Sequence, residues 1–272
     1  MPEGDAVWRT ARRLEKALVG QVLTRTDFRV PAYATVDLAG ATVVESLSRG
    51  KHLLTRIDEP TVSAGGTGRR WTLHTHLKME GSWRVYARGE RWSKPAHLAR
   101  VVLDVGVRSA VGFQLGVVDL LPREREDDVV GHLGPDLLGP DWDEQEAVRR
   151  LTADPDRPLG EALLDQRNLA GIGTIYRTEL CFLTGYDPRT PVRTVADPLR
   201  MVRLARTMLE QNRHLPQIST TGDKRRGRSL WIYGRKGERC PRCGTPVEFA
   251  ELGEQPQARV AYWCPSCQPM RD

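Results

Sequence analysis

The first residues of the chain, Met1-Pro2-Glu3-Gly4-Asp5, have the residue types of an amine-based active site. If Met1 is removed, Pro2 has a free secondary α-amine, whose ordinary pKa of roughly 7.7–8.0 leaves part of it nucleophilic near neutral pH. Such an amine can attack a sugar aldehyde carbon and form an iminium, which acts as an electron sink. Glu3 beside it is a candidate proton donor or acceptor. The alternative is an ordinary first helical turn, where proline and acidic residues are favoured anyway.

Two Cys-X-X-Cys pairs near the end of the chain have the spacing of a metal site. They are Cys240-Pro241-Arg242-Cys243 and Cys264-Pro265-Ser266-Cys267, with 20 residues between them. Four thiolates suit one tetrahedral Zn²⁺ ion with no open position, so this zinc would be structural and not catalytic. Disulfides are the alternative, which a reducing compartment disfavours. The intervening segments 247–250 and 258–263 would form a β-hairpin that turns near 253–257.

Further positions have residue types that recognise phosphate. On the predicted hairpin, Arg259 would be held by a rigid scaffold against a phosphate, or would be an exposed strand arginine. Gly171 and Gly173 precede a predicted helix, where backbone N–H groups bind anions; the alternative is a tight turn that needs positive φ. Lys51 follows Gly50 at a turn between two strand-like runs, where a lysine is usually a solvated surface charge.

His74 and His76 alternate along a predicted strand and therefore point to one face. They could form a metal pair with His97 or His132 as a third ligand. Neutral histidines that pack or form hydrogen bonds are the commoner case.

Length and composition are those of a globular protein. The 272 residues suit one large or two ordinary domains, with 39% hydrophobic and 28% charged residues. No apolar run reaches the length of a membrane span, and the polar first residues do not resemble a signal peptide. We therefore expect a cytoplasmic protein, in which the isolated Cys181 is a small buried hydrophobe.

Positive charge is concentrated in residues 200–239. This stretch has eleven Arg and Lys residues against three acids, a net +8, while the remaining residues sum to −2. Such a concentration indicates a polyanion partner, with a solvated charged surface as the alternative.

Hydrophobic periodicity predicts two differently built regions. Residues 5–19 form an amphipathic helix, because Val7, Ala11, Leu14 and Leu18 lie on one stripe. Short strand-like segments follow at 22–30, 41–49, 51–57, 71–76, 81–86, 100–105 and 110–118, with a loop at 64–68, which indicates a sandwich or barrel. A Pro- and Gly-rich linker precedes helical segments at 143–152, 158–165, 174–184 and 197–212, and short strands return within 231–268.

Together these pieces resemble the formamidopyrimidine-DNA glycosylase and endonuclease VIII family. The matching motifs, in the family's order, are Pro2-Glu3-Gly4, Arg49-Gly50-Lys51, His76-Leu77-Lys78-Met79-Glu80-Gly81, Gly134-Pro135-Asp136, Leu164-Asp165-Gln166 with Gly171-Ile172-Gly173, and Cys264-Pro265-Ser266-Cys267-Gln268. Their joint order and spacing, through nearly the whole chain, carry the resemblance.

The resemblance implies an α+β fold and a DNA partner. An N-terminal helix plus a β-sandwich would form the catalytic domain, followed by a linker, a helical helix-two-turn-helix domain and a zinc-finger hairpin. The expected boundaries are 1–122, 123–142, 143–230 and 231–272. Damaged DNA would bind, with one structural Zn²⁺ per chain and a monomeric, nucleoid-associated protein in a bacterium.

The resemblance also assigns roles to residues. Pro2 would attack C1′ of a flipped nucleotide, Glu3 would transfer a proton during ring opening, and β- and δ-elimination would cut the strand. Lys51 and Arg259 match residues that act at phosphates, and Met79 matches a wedge that replaces lost stacking. The other matched DNA-binding positions are Lys78, His132 and Thr174.

Departures from the family pattern narrow the expected substrate. Thr174 stands where an asparagine is common, Ala261 replaces a finger threonine, and His132 is near a position that is often arginine. Leu115-Gly116-Val117-Val118-Asp119 lacks the Pro-Arg-Arg-Phe-Gly type of loop found in the purine-preferring branch. The chain therefore resembles an endonuclease VIII-type DNA glycosylase and AP lyase that prefers oxidised pyrimidines, on duplex and also on single-stranded or bubble DNA.

Two other functions fit parts of the sequence. A non-catalytic zinc-ribbon protein that binds damaged or distorted DNA would keep the basic stretch and the cysteines, but intact Pro2, Glu3 and Lys51 argue against it. A histidine-bound metallohydrolase would depend on His74 and His76.

Overall fold

A computed structural model describes residues 2–61, 68–223, 225, 227–255 and 258–272. Met1, all of the 64–68 loop except Gly68, two basic residues of the 200–239 stretch (Lys224 and Arg226) and the end of the 253–257 turn lie outside the described residues. The chain forms two compact units. The first contains Pro2 and Ala6–His132, and the second contains Glu3–Asp5 and Leu133–Asp272.

The first unit combines one long helix with two sheets, as the resemblance predicted. Helix α1 spans Gly4–Leu18, and its stripe of Val7, Leu14 and Leu18 is buried in the core of this unit. Gly20 follows with a φ of 78°, which ends the helix as the sequence indicated.

Eight antiparallel strands form two four-stranded sheets. They are β1 Arg25–Phe28, β2 Thr42–Arg49, β3 His52–Asp58, β4 Arg70–His76, β5 Ser82–Ala87, β6 Ala99–Asp104, β7 Arg108–Phe113 and β8 Val117–Pro122. One sheet has the order β1-β6-β7-β5 and the other β2-β3-β4-β8. Because alternate residues of both sheets and one face of α1 are buried together, the strands form a sandwich and not a barrel.

The predicted strand at 110–118 was wrong, because two strands occupy this segment. β7 belongs to one sheet and β8 to the other, and only Gln114–Gly116 connects them. Gln114 turns the chain with a φ of 49°, an uncommon conformation for a residue other than glycine. The segment is largely apolar, and its isolated glycines, Gly112 and Gly116, are compatible with a strand as well as with a turn.

Short helical turns complete the first unit and lead to the second. They comprise helix α2 at Asp127–Val130 and 3₁₀ turns at Pro31–Tyr33, Ala96–Leu98, Arg123–Arg125 and, in the second unit, Val192–Thr194. Helix α2 lies inside the segment interpreted as a linker. No helix among the described residues is long and apolar enough to cross a membrane.

The second unit contains four helices close to the predicted ranges. They are α3 Glu144–Leu151, α4 Leu159–Leu164, α5 Thr174–Thr184 and α6 Pro198–Asn212. Asp143 caps α3 by accepting from two backbone N–H groups, and Asp197 caps α6, where Pro198 starts the first turn. Leu159, Tyr176 and Val202 are among the side chains of their shared core.

A two-stranded hairpin ends the second unit. Strand β9 spans Glu248–Leu252 and pairs antiparallel with β10, Arg259–Trp263, which confirms the predicted hairpin. Residues 231–247 are turns, bends and one isolated bridge, so the short strands predicted within 231–268 are the two strands of this hairpin. Phe182 of α5 packs against Ile232 and Val247, which attaches the hairpin region to the helices.

Candidate functional site

The Glu3 side chain is buried against the start of α5. It is 0% exposed, and its carboxylate accepts from the backbone nitrogens of Gly173 at 2.6 Å, Ile175 at 2.8 Å and Tyr176 at 3.4 Å. These are N–H groups that the first turn of a helix leaves without intrahelical partners. Glu3 therefore caps a helix that begins 171 residues later in the chain, and this contact places the residue next to Pro2 in one defined position.

The glycines of the Gly171-Ile172-Gly173 motif make room for the first residues. A Cβ at position 173 would lie 2.5 Å from Cδ of Glu3, and a Cβ at Gly4 would lie 2.9 Å from Cα of Gly171. Gly4 donates to the carbonyl of Gly171 at 2.9 Å, and Gly171 has a φ of 112°. The anion at this helix start is thus the chain's own carboxylate, and both motifs serve one contact.

Lys51 lies in the turn between β2 and β3. Gly50 has a φ of 56°, which lets the chain reverse directly after Arg49. Lys51 is half-buried, and His52 follows as the first residue of β3. The turn therefore presents a lysine immediately beside a histidine at the end of the sheet.

Met79 lies at the tip of the turn between β4 and β5. Its side chain is 60% exposed, unusual for a methionine of a folded protein. Gly81 donates to the carbonyl of Leu77 at 2.9 Å, and Lys78 has a φ of 51° while its N–H donates to Nδ1 of His76 at 2.9 Å. Hydrogen bonds on both sides of Met79 thus hold the apolar tip outward.

His74 and His76 do point to one face, but the ring nitrogens are engaged in hydrogen bonds. Nδ1 of His74 lies 3.1 Å from Asp119 Oδ2, its Nε2 lies 2.8 Å from His52 Nδ1, and His76 accepts from Lys78. Among the described residues, only the four cysteines converge as a potential metal-binding group. The histidine metal pair is therefore wrong for this structure.

His52, His74 and His76 form a histidine cluster, which is kept uncharged by burial. Burial, followed by the nearby His74, His76, His132 and Lys78, lowers the pKa of His52 to about 3. Burial, followed by Lys78, Lys51 and His74, lowers the pKa of His76 to about 4. Lys51 and Lys78 thus carry the positive charge beside a group of neutral rings.

Two further candidates for DNA contact, His132 and Thr174, differ in exposure. His132 is exposed, and its ring centroid lies 6.1 Å from that of His52. Thr174, the first residue of α5, is only 3% exposed. A contact from Thr174 to DNA therefore stays a prediction.

Arg259 is the first residue of β10 and is exposed. Its neighbour Val260 accepts at 2.5 Å from Nη2 of Arg177, which is 1% exposed on α5. Sequence analysis missed Arg177. The buried guanidinium of Arg177 therefore connects the helix that Glu3 caps to the strand that begins with Arg259.

Glu179 was also missed. Its buried carboxylate accepts from the backbone nitrogens of Trp231 at 2.7 Å, Ile232 at 3.0 Å and Tyr233 at 2.9 Å, and from the Thr220 hydroxyl. This contact anchors both ends of the most basic part of the chain to α5. The available signal was a charged residue within an otherwise apolar helix, which needs partners when buried.

The four cysteines form one cluster. Their sulfur atoms lie within 4.8 Å of one another, with 3.9 Å between Cys240 and Cys267 and 3.4 Å between Cys243 and Cys264. A tetrahedral site with metal–sulfur bonds of about 2.3 Å needs sulfur separations of about 3.8 Å, so the cluster fits a metal ion. All four are free thiols, which excludes the disulfide alternative here.

The predicted site residues thus fall into two groups. Pro2, Lys51, Lys78, Met79 and His132 belong to the first unit, and Glu3, Thr174, Arg259 and the cysteines belong to the second. Within the first unit, the structure brings the two lysine turns to the histidine cluster. Within the second, it brings Glu3 to the first turn of α5.

Solved structures share this fold. A MutM structure in complex with carbocyclic 8-oxo-G containing DNA matches 98% of this chain and 100% of its own, with a TM-score of 0.77 and 22% identity. Lactococcus lactis Fpg (MutM) in complex with oxidised pyrimidine containing DNA matches 98% and 100%, with a TM-score of 0.78 and 23% identity. These likenesses establish the architecture of the chain.

Sequence relatives have a higher identity to this chain than these solved structures do. Residues 1–119 match the formamidopyrimidine-DNA glycosylase N-terminal domain. "Probable endonuclease 8 2" of Streptomyces coelicolor is 55% identical over 98% of this chain and 94% of its own length. "DNA-(apurinic or apyrimidinic site) lyase Nei2" of Mycolicibacterium smegmatis is 52% identical over 98% of this chain and 99% of its own. With such identity over nearly the full chain, this protein belongs to the formamidopyrimidine-DNA glycosylase and endonuclease VIII family.

Proposed function

We propose that this protein is a bifunctional DNA glycosylase and AP lyase of base-excision repair. The observation that carries the proposal is the burial of Glu3 under the start of α5, with three backbone hydrogen bonds. This contact fixes the side chain of the residue that directly follows Pro2 in the chain, which supports Glu3 as the acid–base group. The relatives named as endonuclease 8 and AP lyase support the same activity.

The chemistry follows from a secondary amine next to a carboxyl group. The Pro2 nitrogen bonds to C1′ while the bond from C1′ to the damaged base breaks, and Glu3 transfers a proton as the sugar ring opens. The resulting iminium acidifies C2′, so loss of a C2′ proton expels the 3′ phosphate. A second elimination expels the 5′ phosphate, and water then releases Pro2.

The remaining predicted residues bind DNA in this proposal. Lys51 and Arg259 contact phosphates near the lesion in this proposal. Both side chains are positively charged, and they lie at a turn and at the start of a strand, respectively. Met79 fills the gap left by the flipped nucleotide, which its exposure at a fixed turn supports. Lys78, His132 and Thr174 contact the DNA around that gap.

The cysteine cluster holds a structural Zn²⁺ ion in this proposal. Its four sulfur ligands leave no open position, so the ion stabilises the hairpin that presents Arg259. We further propose the functional boundaries 1–122, 123–142, 143–230 and 231–272 for catalytic domain, linker, helix-two-turn-helix domain and zinc finger.

Oxidised pyrimidines are the proposed lesions. The three-residue connection Gln114–Gly116 supports this, since it is too short for the loop with which the purine-preferring branch fills the duplex. We propose that duplex, single-stranded and bubble DNA are all substrates, and that the protein acts as a nucleoid-associated monomer in the cytoplasm of a bacterium, as its relatives are bacterial.

Borohydride trapping tests the covalent step. Protein without Met1 should form a reduced adduct with abasic-site DNA, and mass spectrometry should place the crosslink on Pro2. A matched protein with one extra N-terminal residue should bind the same DNA without forming the adduct. A crosslink on another side chain, or full cleavage by the extended protein, would contradict Pro2 as nucleophile.

A lesion panel tests the substrate. Oligonucleotides with oxidised pyrimidines, 8-oxoguanine or an abasic site, in single and double strands, should be cut fastest at the pyrimidine lesions and the abasic site. Faster cutting at 8-oxoguanine would contradict the proposed preference, while the trapping result would stand.

A further inference from the structure

Five of the six histidines of the chain belong to the first unit, and the rings of four of them lie close together. His52, His74 and His76 lie on one face of the β2-β3-β4-β8 sheet, since His52 pairs with His76 and His74 pairs with Asp119 across neighbouring strands. The His132 ring lies edge-on to that of His52. The proposed chemistry uses none of the three sheet histidines.

Hydrogen bonds join the side chains of Asp119, His74 and His52 in sequence. Asp119 Oδ2 lies 3.1 Å from Nδ1 of His74, and Nε2 of His74 lies 2.8 Å from Nδ1 of His52. The His52 and His74 rings are nearly parallel, with 19° between their planes. His74 is 4% exposed, so water does not compete for the central link.

The protons in this chain can be assigned from the network. An ionised carboxylate only accepts, so Nδ1 of His74 has the proton. A neutral His74 then accepts at Nε2, and His52 must donate from Nδ1. A neutral His52 consequently has its lone pair on Nε2, the ring nitrogen that does not meet His74.

The charges around His52 favour this uncharged state. The cationic groups that face the cluster are Lys51 and Lys78, and the neighbouring rings belong to His74, His76 and His132. The carboxylate of Asp119 meets the cluster through its hydrogen bond to His74, on the far side of that ring from His52. Protonating His52 would place a buried charge beside two lysines.

We propose that Asp119, His74 and His52 form a hydrogen-bond relay that fixes His52 as an uncharged acceptor and thereby positions Lys51. The inference rests on the proposed abasic-site cleavage, in which Lys51 acts at a phosphate. His52 directly follows Lys51 and pairs with His76, whose ring holds the backbone of Lys78. The relay thus links the Lys51 turn to the Met79 turn. All three are positioning residues.

The relay predicts that removing the Asp119 carboxylate changes, through His74, which nitrogen of His52 is protonated. In Asp119→Ala, His74 loses its acceptor at Nδ1 and takes the Nε2–H tautomer, so His52 must accept at Nδ1 and donate from Nε2. Nitrogen-15 NMR of the histidine rings in the DNA-free protein should show both tautomers inverted. Asp104→Ala, which removes an Asp from the other sheet, should leave both unchanged.

Single-turnover cleavage of abasic-site DNA tests the positioning. Asp119→Ala should cut on the order of tenfold more slowly, which corresponds to about 1.4 kcal/mol, the size of one hydrogen bond, while affinity for a tetrahydrofuran abasic analogue stays within about twofold. In a Lys51→Ala background the same change should have little further effect, because its target is already absent.

Two substitutions of His52 separate the two ends of the ring. Asn keeps a donor for His74 but lacks the outer acceptor, so His52→Asn should retain the His74 tautomer and cleave slowly. Gln places its amide oxygen near the Nε2 position, so His52→Gln keeps the outer acceptor and should recover most of the rate. Thermal unfolding of each variant checks that the fold is retained.

The outcomes are distinct for the relay and for the proposed function. Unchanged tautomers in Asp119→Ala would overturn the relay whatever the activity. Inverted tautomers with an unchanged cleavage rate, or an equal Asp119→Ala effect with and without Lys51, would overturn the positioning of Lys51. Absence of any cleavage by the wild-type protein would contradict the proposed function, while the NMR result would still decide the relay.

Discussion

At the scale of single residues, this protein places one carboxylate in a position with two consequences. Glu3 caps α5 and is also the group beside the proposed nucleophile. A helix start provides N–H donors at fixed positions and a favourable dipole for a negative charge. The same hydrogen bonds that stabilise the helix therefore immobilise the proposed catalytic group.

Glu3→Gln separates these two roles. Gln preserves the size of the side chain but cannot transfer the proton, so base release in a single turnover should fall by about 10²–10⁴-fold. Stability should fall by only about 1–3 kcal/mol, the cost of weakened hydrogen bonds to a charged group. Thermal unfolding provides the control, and unchanged base release in the folded variant would exclude Glu3 from the chemistry.

The buried histidines make stability depend on pH. The pKa values of His52 and His76 are about 3 and about 4 in the folded protein, against an ordinary value of 6.5. Between these folded values and about pH 6.5, the unfolded chain binds more protons than the folded protein. The contribution of the neutral histidines to stability is therefore complete above about pH 6.5 and falls as the pH is lowered. The urea midpoint should therefore decrease from about pH 7 to about pH 4.5.

A double variant isolates the histidine contribution. His52→Asn with His76→Asn should have a smaller decrease of the urea midpoint over that interval, because Asn does not titrate. The exposed His97→Asn should behave like the wild type. Equal pH dependence in all three proteins would show that groups other than His52 and His76 cause the decrease.

At the scale of elements, α5 organises the second unit. Its first turn binds Glu3, its middle contains Arg177 and Glu179, and its last turns pack on the cysteine hairpin. Gly185 ends it in the left-handed conformation with a φ of 74°. One eleven-residue helix thus contacts the N-terminal residues, the basic stretch and the hairpin.

Gly173→Ala should disturb the start of α5 through Glu3. The added methyl group would lie 2.5 Å from Cδ of Glu3, and that side chain cannot move without losing its three hydrogen bonds. We expect lower thermal stability and loss of base release. In a Glu3→Ala background the substitution should destabilise much less, and an equal destabilisation in both backgrounds would disprove the clash.

Metal removal should act on the hairpin and not on the chemistry directly. Chelation should expose the apolar contacts of Trp263 and Val247, lower the melting temperature and weaken DNA binding. Re-addition of Zn²⁺ should restore all three properties. Retention of full stability in metal-free protein, verified by elemental analysis, would contradict a structural ion.

At the scale of the whole molecule, charge is distributed unevenly. The net +8 of residues 200–239 exceeds the +6 of the complete chain. Some of these arginines pair with carboxylates, among them Arg203 with Glu144 and Arg225 with Asp223. Such exposed pairs are weak and can yield to a polyanion.

Binding of abasic-analogue DNA should therefore depend strongly on salt. Affinity should fall roughly tenfold or more between about 50 and 200 mM salt, because bound phosphates release counterions. Arg203→Ala should reduce the slope of log affinity against log salt concentration only if Arg203 leaves Glu144 to contact DNA. Arg91→Ala, in a loop of the first unit, serves as the control. A salt-independent affinity would contradict a phosphate-dominated interface.

Much of the architecture is determined by short-range patterns in the amino-acid sequence. The ranges of α1, α3, α4, α5 and α6 and the cysteine hairpin follow from periodicity, caps and spacing, all of which act within a few residues. The β7–β8 corner could not be predicted in this way. Isolated glycines in an apolar segment that passes between two sheets do not distinguish a turn from a continuous strand.

The site shows the same division. Residue types and spacing determined that Pro2, Glu3 and four cysteines could do chemistry. Only the tertiary structure decided that Glu3 caps a helix 171 residues away, that His52 reaches Asp119 through His74, and that Arg177 holds the strand of Arg259. Caps and metal spacings depend on neighbours in the chain, whereas these contacts exist only once distant buried polar groups must satisfy one another.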